Sequence, residues 1–214
     1  MLCYHYNGDM RNKDLQDLNL NFYNRYGYDF SKTRSNLWDG MKKIKEIVND
    51  DDFVLDIGCG NGRIAPLFNK DKYIGIDFSS SLLNDARIKN KEYIFIEKDI
   101  LKPLWFTDLD KFDVVLLIAI IHHIPSIKKR IQFFKDIKKI LNKEGKIIFS
   151  IWDFKIKENM KNLGDNDFLI PWNNESFRYI HKFSNSEINK IVSSSGFKIN
   201  NTYCNGDNVY YIIL

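Results

Sequence analysis

The sequence is poor in the features that build disulfide frameworks, metal sites and membrane spans. Its three cysteines, Cys3, Cys59 and Cys204, lie far apart and outside any CxxC or CxxxH spacing, so neither a disulfide framework nor a tetrahedral zinc site is predicted. The longest apolar run, from Val114 to Ile121, is far too short to cross a bilayer. The polar segment from Met1 to Asp14 lacks the apolar centre of a signal peptide. We therefore expect no bound metal, no membrane association and a reducing compartment, the cytoplasm or alternatively the nucleus.

Repeats and low-complexity linkers are also lacking, and the 214 residues suffice for one well-buried domain but not for two ordinary ones. The formal net charge of +4 would favour phosphate-rich partners through long-range attraction. Compositional drift could produce the same excess of lysine, so the charge alone decides little. We predict one domain over residues 1–214.

Three segments are distinguished by their hydrophobic periodicity. Residues 1–50 have a helical pattern, with one amphipathic helix around Leu15 to Tyr26 and another around Leu37 to Val48, and are predicted to cap the substrate and cofactor. Residues 51–152 form the predicted core, and residues 153–214 supply the C-terminal elements of the substrate pocket.

The core alternates short apolar runs with helical stretches, the rhythm of βαβ units in a parallel sheet covered by helices. The predicted strands are Phe53–Ile57, Tyr73–Ile76, Tyr93–Ile96, Phe112–Ala119 and Lys146–Trp152. Helices are predicted over Lys128–Leu141 and Ser184–Ser194. Two last strands, Phe197–Tyr203 and Val209–Leu214, are predicted to pair antiparallel across the turn dipeptide Asn205-Gly206.

A glycine-rich turn follows the first strand, in Asp56-Ile57-Gly58-Cys59-Gly60-Asn61-Gly62. Glycines permit positive φ and close approach of the backbone to a ligand, and a helix is predicted to follow. Such turns also hold dinucleotide pyrophosphates. The strand-end carboxylate of Asp56 would repel a pyrophosphate and favours a cationic ligand instead.

Two further acidic residues end the next two strands. Asp77 closes the second strand, where an acceptor can take both hydroxyls of a ribose. Asp99 ends the third strand and could accept from an adenine amino group, with Ile100 against the ring. One such aspartate is usually a cap or turn residue, whereas three in register with a glycine turn favour a nucleoside site.

With these motifs the chain resembles the class I S-adenosylmethionine-dependent methyltransferases. The resemblance implies a Rossmann-like α/β fold with a seven-stranded, mostly parallel sheet, one antiparallel strand and flanking helices. It also implies S-adenosylmethionine as cofactor and S-adenosylhomocysteine as product. The predicted cofactor-binding residues are Asp56, Gly58, Cys59, Gly60, Asn61, Gly62, Asp77, Phe78, Asp99, Ile100 and Ala119.

Five further segments carry a narrower likeness. They are Phe22-Tyr23, Phe30-Ser31-Lys32-Thr33-Arg34 with Trp38, Ile120-Ile121-His122-His123-Ile124, Tyr179-Ile180-His181-Lys182-Phe183 and Gly206-Asp207-Asn208-Val209-Tyr210. Through them the chain resembles the tRNA wobble-uridine carboxymethyl methyltransferases. The last segment departs from that family, which usually carries tryptophan where this chain has Val209 and Tyr210. The acceptor implied is the carboxylate of 5-carboxymethyluridine in the tRNA anticodon loop, and the product is its methyl ester.

A carboxylate is ionised at pH 7 and needs no general base, so the predicted task is to align it and exclude water. Arg34 is the candidate that holds it bidentately. His122 and His123 follow the fourth strand and are candidates for contacting the uracil, although each could instead be a cap or a satisfied core group. The predicted substrate-binding residues are Thr33, Trp152, Arg178, His181 and Asp207. Core packing is the alternative for Trp152, a solvated charge for Arg178 and a turn role for Asp207.

The third strand is predicted at the edge of the sheet, where an apolar, unpaired strand invites another strand. The family resemblance implies that a small zinc-binding activator protein docks near Tyr93 to Ile96. Two other readings stay open at this point. The chain could methylate a small metabolite with the same core, or it could be a non-catalytic subunit that keeps the cofactor fold.

Overall fold

A computed structural model describes residues 12–34, 36–173 and 176–214. Cys3 and the start of the N-terminal polar segment lie outside the described residues, so the predictions made for them cannot be compared with the structure. Within the described ranges, no helix has both the length and the apolar character needed to cross a membrane.

In the part of the chain that the structure describes, ten strands form two sheets. The strands are β1 (Val54–Ile57), β2 (Tyr73–Asp77), β3 (Ile94–Glu97), β4 (Phe112–Ile118), β5 (Leu141–Trp152), β6 (Lys161–Gly164), β7 (Asp167–Asn173), β8 (Ser176–His181), β9 (Ile199–Asn205) and β10 (Asn208–Ile213). The large sheet has seven strands in the order β3-β2-β1-β4-β5-β10-β9. Only β10 runs antiparallel to its neighbours β5 and β9. The predicted sheet, with its one antiparallel strand and with β3 at an edge, is confirmed.

Five α-helices accompany the strands in the described residues: α1 (Asn12–Lys32), α2 (Asp39–Ile44), α3 (Ser80–Lys89), α4 (Ile127–Ile140) and α5 (Asn185–Ser194). Capping explains where the last one begins and ends. The Ser184 hydroxyl accepts from the backbone N–H of Glu187 at 3.2 Å, and Gly196 follows the helix with φ +79°. The helix predicted over Ser184–Ser194 is therefore confirmed.

Two helix predictions were wrong. No α-helix follows the glycine-rich turn, where the chain forms only a short 3-10 helix over Ala65–Leu67. Pro66 lies in the first turn of this 3-10 helix, where proline is tolerated because the first backbone N–H groups of a helix have no intrahelical partner. The predicted second N-terminal helix also ends early, since α2 stops at Ile44 and leaves Val48 in a following turn.

The three-stranded sheet, in the order β6-β7-β8, was not predicted. Pro171 lies in its central strand, a position that normally argues against a strand because proline cannot donate to the ladder. The structure accommodates it beside a register shift between Pro171 and Asn173. The apolar run that would have signalled the strand is only Phe168-Leu169-Ile170.

Hydrophobic clusters on the two faces of the large sheet form the core. One packs α4 and α5 against the sheet through Phe134, Ile137 and Ile191, and the other includes Met41 and Ile44 of α2. Helix α1 contacts α3 on one side and β8 on the other. The Asn19 side chain fixes this arrangement, because it accepts from the N–H of Tyr179 at 2.8 Å and donates to its carbonyl at 3.1 Å.

Candidate active site

A cavity of about 680 Å³ opens at the carboxyl ends of β1, β2 and β4, where open α/β sheets bind ligands. Helix α1, β8 and the turn between β9 and β10 complete its walls. The predicted residues that line it are Arg34, Asp56, Gly58, Cys59, Gly60, Asn61, Asp77, Phe78, Asp99, Ile100, Ala119, His122, His123, Trp152, Arg178 and Asp207. Gly62, Thr33 and His181 lie outside the lining.

The glycine-rich turn has a left-handed backbone at alternate positions, with φ of +70° at Gly58, +56° at Gly60 and +68° at Gly62. A Cβ on Gly58 would lie 2.1 Å from the Ile120 Cδ1 atom, and one on Gly62 would lie 2.8 Å from the Phe95 ring. A Cβ on Gly60 would meet nothing within 4 Å. Gly58 and Gly62 are thus required by protein packing, while Gly60 faces open space that a bound ligand can use.

Asp56 and Asp77 bring two buried carboxylates to the same end of the cavity. Asp56 is 2% exposed and accepts from the Tyr73 hydroxyl at 2.7 Å, and its burial raises its pKa to about 7. Asp77 accepts from the N–H groups of Gly60 at 3.0 Å and Ser79 at 2.8 Å. Burial raises the pKa of Asp77 to about 6 although these backbone hydrogen bonds oppose the change. A cationic ligand would stabilise both carboxylates in their charged form.

Asp99 completes the predicted group of three acids on the cavity wall, next to Ile100. Its Oδ1 atom accepts from the N–H of Leu101 at 2.9 Å, which leaves its other oxygen available. Ala119 directly follows β4 and has φ +59°, an uncommon conformation for a residue other than glycine. Its N–H donates to the buried Ser150 hydroxyl at 3.0 Å, which holds this strained residue at the cavity.

Asn61 joins the glycine-rich turn to the N-terminal segment. Its side-chain amide donates to the Ser31 hydroxyl at 2.8 Å and to the Arg34 carbonyl at 3.3 Å. The Thr33 hydroxyl in turn accepts from the Arg34 guanidinium at 3.0 Å. Thr33 thus lies outside the cavity wall and contacts the Arg34 side chain instead.

The two histidines differ in their partners. The His123 Nδ1 atom lies 2.9 Å from the Tyr179 carbonyl, which can only accept, so Nδ1 carries the ring proton. Its Nε2 atom then accepts from the Tyr23 hydroxyl at 3.0 Å. Burial, with Arg178 nearby, lowers the pKa of His123 to about 4. The His122 Nδ1 atom has no hydrogen-bond partner among the described residues, and burial lowers its pKa well below the usual value. Both rings are neutral at pH 7, and His122 keeps a free nitrogen.

Two guanidinium groups, those of Arg34 and Arg178, also line the cavity. Arg178 on β8 is 9% exposed, with its Nε atom unpaired among the described residues. It lies over the Phe30 ring at 5.3 Å and the Trp152 ring at 5.9 Å. Arg34 lies over the same Phe30 ring at 4.7 Å. Burial lowers the pKa of Arg34, and the neighbouring charge of Arg178 lowers it further. An anion between them would relieve this repulsion.

His181 has a structural environment rather than a place in the cavity. Its Nδ1 atom lies 2.6 Å from Asp167, and its Nε2 atom lies 2.8 Å from Glu187. Glu187 also pairs with the buried Arg130 at 2.7 Å. These contacts join β7 and β8 to α4 and α5, away from the cavity wall.

Several cavity residues were missed or given no role by sequence reasoning. They include Gln16, Asn19, Tyr23, Trp38, Arg63 and Lys98. Tyr23 and Trp38 lay in segments that the sequence analysis singled out, but their partners are distant in the chain and left no local signal. In the described ranges, no group of three or more histidine, cysteine or acidic residues could hold a metal ion.

Residues 49–207 match the family model described as a methyltransferase domain. A protein of Encephalitozoon cuniculi, named only as a methyltransferase, is 31% identical over 83% of this chain and 86% of its own length. The tRNA (carboxymethyluridine(34)-5-O)-methyltransferase of Schizosaccharomyces pombe is 26% identical over 83% of this chain and 87% of its length. Other curated relatives are longer, and the chain spans 30% of the bovine and human ones.

Among solved structures, the magnesium protoporphyrin IX methyltransferase of Synechocystis PCC 6803 with bound S-adenosylhomocysteine superposes with a TM-score of 0.68. The superposition covers 94% of this chain and 99% of that one, at 17% sequence identity. At this identity the likeness shows the fold alone.

Proposed function

Because this chain belongs to the family of S-adenosylmethionine-dependent methyltransferases, we propose that it methylates the carboxylate of 5-carboxymethyluridine at the tRNA wobble position. The observation that carries the proposal is the pair of guanidiniums of Arg34 and Arg178 in the cavity. Neither forms an ion pair with a carboxylate in the part of the chain that the structure describes. Each guanidinium can donate two parallel hydrogen bonds to a planar anion, close to the part of the cavity beside the glycine-rich turn.

The part of the cavity formed by the glycine-rich turn with Asp56, Asp77 and Asp99, called the cofactor end, fits S-adenosylmethionine in three respects. Gly60 leaves open space beside the turn, Asp56 and Asp77 offer buried carboxylates to an ammonium and to ribose hydroxyls, and Asp99 with Ile100 suits an adenine edge and face. When bound, S-adenosylmethionine supplies a methyl group on a positively charged sulfur.

The chain's own residues then have three tasks. Arg34 and Arg178 hold the acceptor carboxylate, which is already ionised and needs no base. His122, which lines the cavity, contacts the uracil. Helix α1 excludes water, because Tyr23 and Phe30 cover the cavity from above the strand ends.

Aromatic side chains support a base as the acceptor. Trp152 lines the cavity beside Arg178, and single-stranded RNA loops are commonly read by stacking bases on aromatic and guanidinium planes. Phe154 and Trp172 pack in apolar clusters and are not among the residues that line the cavity. Asp207, in the turn between β9 and β10, is proposed to border the acceptor. The named activity of the Schizosaccharomyces pombe relative supports the same acceptor.

An activator protein is part of the proposal. Strand β3 is an edge strand, and its Ile94 is 55% exposed. A small zinc-binding partner that adds a strand along Tyr93 to Ile96 would cover this edge. The zinc would belong to that partner, since the described part of this chain offers no metal cluster.

The test is mass spectrometry of nucleosides from tRNA carrying 5-carboxymethyluridine, after incubation with the protein, the activator and S-adenosylmethionine. A new methyl ester of that nucleoside is expected. Arg178→Gln should abolish most of the product while binding S-adenosylhomocysteine normally. Methyl transfer to small carboxylates with none to tRNA would contradict the proposed acceptor, and no binding of S-adenosylhomocysteine would contradict the cofactor site as well.

A further inference from the structure

Arg63 is a third arginine of the cavity, and neither the sequence analysis nor the proposed reaction gives it a role. It follows the glycine-rich turn directly and lines the cavity. Its guanidinium lies 4.2 Å from the centre of the Trp38 ring, and its Nη1 atom donates to the Asn36 carbonyl at 3.3 Å. Like Arg34 and Arg178, it forms no ion pair with a carboxylate in the described ranges. Most of its donors therefore lack a protein partner.

Arg63 has both a carboxylate, Asp56, and another guanidinium, Arg34, among its charged neighbours. A site for a zwitterionic ligand needs groups of both signs. Asp56 is close enough that each of the two groups alters the pKa of the other. Burial lowers the pKa of Arg63 to about 10, and the positive charge of Arg34 contributes to the decrease. A single carboxylate and a pair of guanidiniums thus share one corner of the cavity beside the glycine-rich turn.

An amino acid carries its ammonium and its carboxylate on the same carbon atom, so a protein that binds both must place opposite charges side by side. The methionine moiety of the cofactor is such an amino acid. Asp56 can accept from the ammonium, and Arg63 lines the same cavity and lowers the pKa of Asp56 through its charge. Arg178 instead lies over the rings of Phe30 and Trp152.

We propose that Arg63 binds the α-carboxylate of the cofactor's methionine moiety, while Asp56 binds its α-ammonium. Trp38 and the Asn36 carbonyl hold the guanidinium in place for this role. The three cavity arginines then divide between two anions: Arg63 serves the cofactor, and Arg34 and Arg178 serve the acceptor. The inference rests on the cofactor and does not depend on which acceptor is methylated.

Isothermal calorimetry with two cofactor analogues tests the assignment without any methyl transfer. S-adenosylhomocysteine carries both the ammonium and the carboxylate, whereas S-adenosyl-3-thiopropylamine lacks only the carboxylate. The unmodified protein should bind the first about tenfold to a hundredfold more tightly, the range expected of a charge-assisted hydrogen bond. Arg63→Gln should remove most of this preference by weakening only S-adenosylhomocysteine, and Arg63→Lys should restore part of it.

Arg25→Gln is the matched control, because Arg25 is an exposed arginine that lies 5.2 Å from the Tyr26 ring. It should leave both affinities unchanged. Equal weakening of both analogues by Arg63→Gln would overturn the assignment and indicate a general role in shaping the turn. An unchanged affinity for S-adenosylhomocysteine would overturn it too. Thermal unfolding of each variant verifies that a loss of binding does not reflect a loss of fold.

Discussion

The two halves of the cavity differ in charge and in how the chain builds them. The cofactor half comprises the glycine-rich turn with Asp56, Asp77 and Asp99, and the hydrogen bonds of these acids come from at most 17 positions away, as from the Tyr73 hydroxyl to Asp56 and from Gly60 N–H to Asp77. The acceptor half depends on distant contacts. Tyr23 meets His123 across 100 positions, and Asn19 meets Tyr179 across 160.

Under the proposed function, the cofactor half is an acidic site built from local contacts that suits a positively charged group. The acceptor half is a basic site built from distant contacts that suits an anion. The cofactor half is set by three neighbouring strand ends and the turn between them. The acceptor half requires α1, β8 and the segment after β4 to pack correctly at the same time. Substitutions in the two halves should therefore have separable effects on stability, cofactor binding and methyl transfer.

Gly58→Ala should have the largest effect on stability, because it disrupts the glycine-rich turn of the cofactor half. The new Cβ would meet Ile120 at 2.1 Å at a φ of +70°. Strain and overpacking together should cost about 3 kcal/mol of unfolding free energy, or a Tm lower by about 9 °C. Gly60→Ala is the matched control, since its Cβ meets nothing within 4 Å. It should cost about 1 kcal/mol yet still weaken cofactor binding. Equal losses of Tm would refute the distinction.

Arg34→Ala tests the basic half alone. Methyl transfer should fall by about thirtyfold in kcat/KM, since one bidentate, charge-assisted contact to the acceptor is lost. Binding of S-adenosylhomocysteine should stay nearly unchanged, as calorimetry would show. If both fell together, Arg34 would belong to the cofactor half and its assignment would be wrong.

The acidic half should make cofactor affinity depend on pH. The pKa of Asp56 is raised to about 7 by burial, so this group loses its charge as the pH falls from 7.5 to 5.5. The ammonium group of S-adenosylhomocysteine is attracted to the charged form, so the affinity for this ligand should decrease by about tenfold over that range. Calorimetry of Asp56→Asn should show weak binding with most of this pH dependence removed. A pH dependence that persists in full would assign it to another group.

Tyr23→Phe should have the smallest effect, and it examines how the two halves are joined. It removes the hydroxyl that donates to His123 Nε2 at 3.0 Å. An unpaired, partly buried nitrogen should cost about 1 kcal/mol of unfolding free energy. The rate of methyl transfer should fall only a few fold, because no group that holds the cofactor changes. A loss of cofactor binding would show that the halves are not separable here.

The same difference explains what the sequence could predict. The strands, the glycines and the strand-end acids follow from local patterns, and the hairpin follows from Asn205-Gly206. The seven-stranded sheet was implied by the resemblance to the class I methyltransferases. The α-helix expected after the glycine-rich turn was wrong, and a 3-10 helix over Ala65–Leu67 takes its place. The second sheet was missed because Pro171 interrupts its short apolar run.

Local sequence patterns could not predict which side chains of the acceptor half contact one another. The sequence identified Arg34, Arg178 and both histidines as candidates, but only the fold distinguishes His122, with its free Nδ1 atom, from His123, with both nitrogens engaged. The fold also places His181 outside the cavity lining, where its ring nitrogens form hydrogen bonds with Asp167 and Glu187. Such partners come from side chains that meet only after packing, and no spacing in the sequence records them.

A crystal structure of the protein with S-adenosylhomocysteine and 5-carboxymethyluridine would test the two-sided cavity most directly. The account predicts the adenosine at Asp77 and Asp99, and the uridine carboxylate within hydrogen-bonding distance of Arg34 and Arg178. An adenosine bound at the arginines, or a uridine carboxylate remote from both, would contradict it.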